Sequence, residues 1–213
     1  MAKKPLRRTR ERILETALTL FNEFGEPGVT TAAIADAMNI SPGNLYYHFH
    51  SKDQIVAALF AAFRAEIERA LSAPENRPAH AEDAWLFLHL VFEAIHKYRF
   101  LYRDINALVA RHPALEAPFK RILAHKKRTA MAILQSLVTA GQMNAGAADV
   151  ENLAVNMTVL MSYWLSYELA CDPRGVDASR ALARGAFHAI SLAAPYLAPG
   201  ERALFDELAK RYL

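Results

Sequence analysis

Ser41-Pro42-Gly43-Asn44-Leu45-Tyr46-Tyr47-His48-Phe49 gathers more hydrogen-bonding side chains than a purely structural helix needs. Ser41 can cap the orphan N–H groups of a new helix, and Pro42 suits the first helical position. Leu45 and Phe49, four residues apart, share a face and read as core anchors. Asn44, Tyr46, Tyr47 and His48 are then left with amide, phenol and imidazole groups for something outside the fold. Such groups bond phosphate oxygens, and an amide also reaches a base edge. The competing reading of Tyr46 and Tyr47 is a half-buried ring with a wet hydroxyl. His48 has only His50 nearby and no cysteine, a spacing that does not suit zinc.

The elements that must hold this stretch are helical. Ile13, Ala17, Phe21 and Phe24 form a stripe that Gly25 ends, and Glu26-Pro27-Gly28 makes the turn. Thr30 is the natural cap of a second helix through Ala33, Ile34 and Ala37. Met38-Asn39-Ile40 breaks it, with Asn39 suited to the left-handed backbone. Two short helices around such a turn, the second polar-faced, make a helix-turn-helix pattern. Ser51-Lys52-Asp53 caps a longer helix carrying Ile55, Leu59, Phe63, Ile67 and Leu71. Ala73–Pro78 reads as a linker. Further helices are expected over roughly 81–97, 98–111, 115–140, 149–171, 178–194 and 200–212. The expected fold is all-α, with a three-helix head, a larger C-terminal bundle and about nine or ten helices.

The 213 residues are 53% hydrophobic and 22% charged, a globular composition. The single Cys171 excludes an internal disulfide framework and, with no secretory apolar run, fits a reducing cytoplasm. The net charge is +3, but residues 1–12 set Lys3, Lys4, Arg7, Arg8, Arg10 and Arg12 against Glu11 alone. That basic arm is either a phosphate contact or a solvated terminus. Leu153–Ala170 is the longest apolar run, and Asn156, Ser162, Ser166 and Glu168 make it a packed or interfacial helix.

Thr30-Thr31-Ala32-Ala33-Ile34-Ala35, Ile40 to Phe49 and Ser51-Lys52-Asp53 together resemble the DNA-binding head of TetR-family transcriptional regulators, over about residues 8–60. Asn39 stands where many members have glycine. The resemblance implies a DNA-binding domain over 1–53, with its basic arm at 1–12, and an effector-binding and dimerisation domain over 54–213. It implies that the helix opening at Ser41 enters the major groove of double-stranded DNA, with Pro42, Gly43, Asn44, Tyr46, Tyr47 and His48 toward it. Thr31 and Lys52 are the implied phosphate clamps, with Arg7, Arg8 and Arg10 reaching along the backbone or into the minor groove. It also implies a homodimer packed through helices near 150–171 and 178–194. Trp85–Leu90, Tyr98–Leu101 and the closing Arg211-Tyr212-Leu213 are similar to a subgroup associated with polyhydroxyalkanoate and fatty-acid metabolism, implying an acyl-type effector.

The middle of the chain mixes large apolar and scattered polar groups: Phe87, His89, Phe92, Glu93, His96, Tyr102, Asn106, Tyr163 and Trp164. That mixture suits a mainly apolar ligand with one polar end, though plain core is the alternative for each. Met157, Leu160, Met161, Trp164 and Leu165 form an apolar surface fit for a partner helix or a central core. Lys120, Arg121, Lys126, Lys127 and Arg128 read as a solvated helix face. No nucleophile elbow, Walker loop, dinucleotide fingerprint or H-E-x-x-H occurs, so no enzyme, cofactor or metal site is expected. The expectation is a ligand-released repressor on a palindromic operator, with the helix near 53–72 as lever. A helical lipid or acyl-CoA carrier without DNA binding, or a protein-binding adaptor, stays open.

Overall fold

The computed structural model describes residues 4–72, 81–173 and 177–209. Over these the chain is all-α, with eleven α-helices and two short 3-10 turns; β pairing is limited to one isolated bridge, Met143 to Leu197. Contacts divide the chain into two compact units, Met1–Ala65 with Tyr98–Leu115, and Glu66–Lys97 with Glu116–Leu213. The expected linker Ala73–Pro78 and the closing Arg211-Tyr212-Leu213 lie outside the described residues.

The first unit opens with α1 (Lys4–Phe24), so residues 4–12 of the basic arm are its first turns. Ile13, Ala17 and Phe21 are fully buried, but Phe24 is 59% exposed. Asn22 turns inward instead, its Oδ1 accepting from the Phe100 N–H at 3.0 Å. Gly25 stops the helix at φ +80°, where a side chain would strain the backbone. α2 (Thr31–Ala37) is capped by Thr30, whose hydroxyl accepts from the Ala33 N–H at 3.1 Å. Asn39 then takes φ +53°, and α3 (Pro42–His48) begins. α4 (Lys52–Ala70) carries the stripe expected for it: Ile55, Leu59, Phe63, Ile67 and Leu71 are all buried.

Residues 98–111 do not make the single helix expected. Asp104 leaves helical geometry (φ −154°, ψ +87°), ending α6 (Phe100–Arg103) and capping α7 (Ile105–Arg111). Its carboxylate accepts from the Ala107 N–H at 2.9 Å. This capped break accounts for eleven helices rather than ten. Phe21 meets Phe100, and Phe63 meets Tyr98 and Tyr102, at ring distances of 5.3–5.7 Å.

The second unit is a bundle of α5 (Ala81–Lys97), α8 (Glu116–Thr139), α9 (Ala147–Cys171), α10 (Ala178–Ser191) and α11 (Pro199–Ala209). Its core lies where α8 packs on α9 and α10 packs on α9 and α5. Gly185 permits the tightest of these approaches, because a Cβ there would sit 2.6 Å from Trp164 and 2.8 Å from Phe92. Trp164 is pinned as well, its indole N–H donating to the Ala181 carbonyl at 2.6 Å. A bidentate pair, Arg184 to Glu168 at 2.9 and 2.6 Å, fastens α10 to α9.

Lys126 corrects the reading of 120–128 as a solvated face. It is fully buried, and its Nζ donates to the Ser162 hydroxyl at 3.3 Å. The reason is register: Ile122, Lys126, Ala130, Ile133, Leu134 and Leu137 share the inward stripe of α8. Burial pushes its ammonium down to a pKa of about 7. Lys120, Arg121 and Arg128 are exposed, and Lys127 pairs with Glu151.

Candidate nucleic-acid interface

The polar face at Ser41 is built from the local rules that start a helix. The Ser41 hydroxyl accepts from the Asn44 N–H at 3.2 Å, and Pro42 supplies the first helical turn. Leu45 and Phe49 are each 2% exposed and hold α3 to the head. The Arg10 guanidinium lies 4.7 Å over the Phe49 ring, closing its outer side. Tyr46 and Tyr47 stand 60% and 69% exposed, so the half-buried alternative does not describe them. Pro42, Gly43 and Asn44 are exposed and His48 is half-buried with its ring edge-on to Tyr47. Arg8 is exposed on α1, while the Arg7 side chain lies outside the described residues.

Thr31, Pro42, Gly43, Tyr46, Ser51 and Lys52 line one open groove of about 600 Å³ across α2, α3 and the start of α4. Two helix starts, at Thr31 and Pro42, open beside it. Backbone N–H groups at helix starts suit anions. The exposed amide and phenols of α3 suit base edges and phosphates.

Lys52, the expected phosphate clamp, lines the groove with its ammonium bonded within the head. Its ammonium sits 2.8 Å from Glu26 Oε1 and also donates to the carbonyls of Glu26 and Val29, at 3.0 and 3.3 Å. Three N–H donors thus meet three acceptors inside the head. Glu26 is only 2% exposed and has further company: Arg111 Nε lies 3.0 Å from Oε2 and His112 Nε2 3.4 Å from Oε1. His112 Nδ1 is in turn 3.2 Å from Asp53. Burial raises the Glu26 carboxyl, but bonding and charge from Lys52 and Arg111 outweigh it and hold it below its ordinary value. Arg103 adds a bond to the Glu23 carbonyl at 3.3 Å. Nothing in the sequence marks this cluster, because Glu26 and Arg111 stand 85 positions apart.

Of the nine residues expected to bind an effector, four share one groove and the other five lie elsewhere. His89, Phe92, Glu93 and His96 line an open groove of about 580 Å³ between α5 and α10, with Leu182, Ala183 and Ala186 opposite. His89 and Glu93 pair across its rim at 3.2 Å. Phe87 lies on a separate apolar cavity of only about 30 Å³, with Leu134, Met157 and Phe205. Trp164 packs at Gly185, and Tyr163 is 38% exposed on α9. Tyr102 and Asn106 belong to the first unit; Tyr102 is fully buried, which drives its phenol pKa far upward, and Asn106 is exposed.

Met157, Met161 and Leu165, part of the expected partner surface, are buried within the bundle instead. The apolar ridge left outside is Val155, Val159, Tyr163 and Tyr167, 38–58% exposed at a spacing of four. That spacing keeps the four on one helix face.

Residues 13–59 match the family described as bacterial regulatory proteins of the tetR family, and residues 62–205 match TetR, described as a bacterial transcriptional repressor. A solved TetR-family transcriptional regulator from Marinobacter aquaeolei VT8 is 30% identical with a TM-score of 0.85, over 96% of this chain and 98% of that one. The transcriptional regulator UidR of Escherichia coli K12 is 30% identical over 81% of this chain and 85% of its own. IcaR of Staphylococcus aureus, a negative regulator of the biofilm operon icaADBC, is also 30% identical over 46% of this chain. The match to IcaR spans about half of that relative's length, 53%.

Proposed function

Because the chain belongs to the TetR family of bacterial transcriptional regulators, we propose that it is a DNA-binding repressor controlled by a small molecule. The observation that carries the reading is α3 itself. Its two apolar residues are spent on the head, while Asn44, Tyr46 and Tyr47 stand exposed beside a groove flanked by two helix starts. Among the described residues, the two tyrosine rings meet near neighbours in sequence, Tyr46 with His50 and Tyr47 with His48. One such helix covers only a few base pairs, so two copies on a palindromic operator are required for selectivity. The ridge Val155–Tyr167 on α9 supports self-association, since a row of exposed valines and tyrosines costs free energy until covered.

The α5–α10 groove supports an effector that is mainly apolar with a polar end, of the fatty-acyl kind. Its floor is Phe92, Leu182 and Ala186, and its rim carries His89, Glu93 and His96. Release requires the effector to prefer the non-binding state by a few kcal/mol. The carrier reading is less well supported. The closed apolar cavity, at about 30 Å³, is a tenth of what a drug-sized ligand fills.

An electrophoretic shift of DNA from upstream of the protein's own reading frame tests the proposal. A sequence-selective, salt-sensitive shift that weakens about tenfold or more in Tyr47→Ala is expected. No selective shift by the wild-type protein overturns it.

A further inference from the structure

A carboxylate as buried as Glu26 survives only where cations meet it, and its cations come from two parts of the chain. Lys52 comes from the start of α4, four residues after α3 ends at His48. Arg111 and His112 come from the end of α7. Glu26 itself lies in the corner between α1 and α2. The segment 98–112 therefore touches both elements that flank the helix-turn-helix. We propose that Glu26, Arg111 and His112 form a clasp that positions the reading helix, the charge of one buried carboxylate fixing the aim of α3. The inference rests on the reading of α3 as a DNA reader.

The geometry argues for positioning over simple packing. Asn22 to the Phe100 N–H and Arg103 to the Glu23 carbonyl tie the segment to the last turns of α1, and Phe63 packs Tyr98 and Tyr102 against the middle of α4. The charged cluster reaches the start of α4, the end nearest α3, through Lys52 and through Asp53 on His112. His112 sits between the two acids, Nδ1 3.2 Å from Asp53 Oδ1 and the buried Nε2 3.4 Å from Glu26 Oε1. Glu26 meets Lys52, Arg111 and His112, and Lys52 meets three acceptors, so loss of the carboxylate disturbs several contacts at once. Glu26, Arg111 and His112 are positioning residues, since none of them lines the groove.

Two measurements on the full-length protein decide the matter. The first is hydrogen exchange by mass spectrometry on Glu26→Gln and Arg111→Met. Amides at 25–30 and 98–111 are expected to exchange at least tenfold faster, with those at 116–171 unchanged. Unchanged exchange in both variants overturns the clasp, whatever the DNA results. The second uses a duplex that the wild-type protein selects from a random library, tested as selected and with one base pair inserted between its half-sites. Both variants are expected to lose at least fivefold of the wild-type preference for the original spacing, and Arg111→Lys to recover it. Weaker binding with the preference intact makes Glu26 a stabiliser only and overturns the positioning role. Failure of Arg111→Lys to recover what Arg111→Met loses removes charge as the agent and also overturns it. A wild-type protein that selects no duplex overturns the DNA reading, while the exchange result still decides the clasp.

Discussion

Lys52 and Lys126 show how little a side chain's formal charge says about its work. Lys52 stands at the start of α4 beside the reading face, yet its donors are spent on Glu26 and two carbonyls. Each phosphate contact contributes about 0.9 to the slope of log affinity against log salt. Lys52→Ala is therefore expected to weaken operator binding while leaving that slope nearly unchanged, and the exposed Arg8→Ala to flatten it by about one. Titration of binding from low to moderate salt separates the two. Lys126 is the converse case, a cation inside the bundle. Its folded pKa of about 7 lies below the unfolded value of 10.5, so between those values the unfolded chain binds the extra proton. Stability of the second unit is expected to rise as pH goes from about 7 toward 10.5. Lys126→Met should remove that rise and, at pH 7, stabilise the unit by a few kcal/mol. Urea unfolding monitored at Trp85 and Trp164 across that range reads the difference.

Helices in this chain are set by their ends, and those ends divide into visible and hidden signals. Thr30, Ser41 and Asn39 act as their types and positions imply, because a cap or a left-handed residue works on its nearest neighbours. Asp104 does the same local job, but its apolar surroundings masked it in a segment with unbroken helical period. Phe24 leaves its expected place in the stripe and Asn22 turns inward, where its Oδ1 accepts from the Phe100 N–H. Between elements, Gly185 fixes how closely α10 approaches α5 and α9. Gly185→Ala would drive a methyl into two rings, one of them pinned through its indole N–H, and is expected to cost about 1–3 kcal/mol. A lowered midpoint of thermal or urea unfolding checks it.

At the scale of the whole molecule, the reading depends on a second copy of the chain. The ridge Val155–Val159–Tyr163–Tyr167 runs along the outside of α9, and covering it removes apolar area from water. Val159→Asp combined with Tyr163→Asp is expected to give a monomer by sedimentation at concentrations where the wild type is dimeric. Operator affinity should fall in parallel by about a hundredfold or more, because one head reads only a half-site. The same pair leaves the core of the bundle intact, since Met157, Met161 and Leu165 face inward. Unchanged circular dichroism confirms that the loss is one of association.

By itself the sequence determined the helical class, the capped turn from α2 to α3, and the core roles of Leu45 and Phe49. Each of these follows from residues within a few positions of one another, where backbone geometry and helical period leave little choice. The tertiary structure decided which lysine is buried, which face of α9 stays outside, and what holds Glu26. Those outcomes depend on residues brought together from far along the chain. Charge there is judged by what surrounds it in space, and spacing along the sequence carries no record of that.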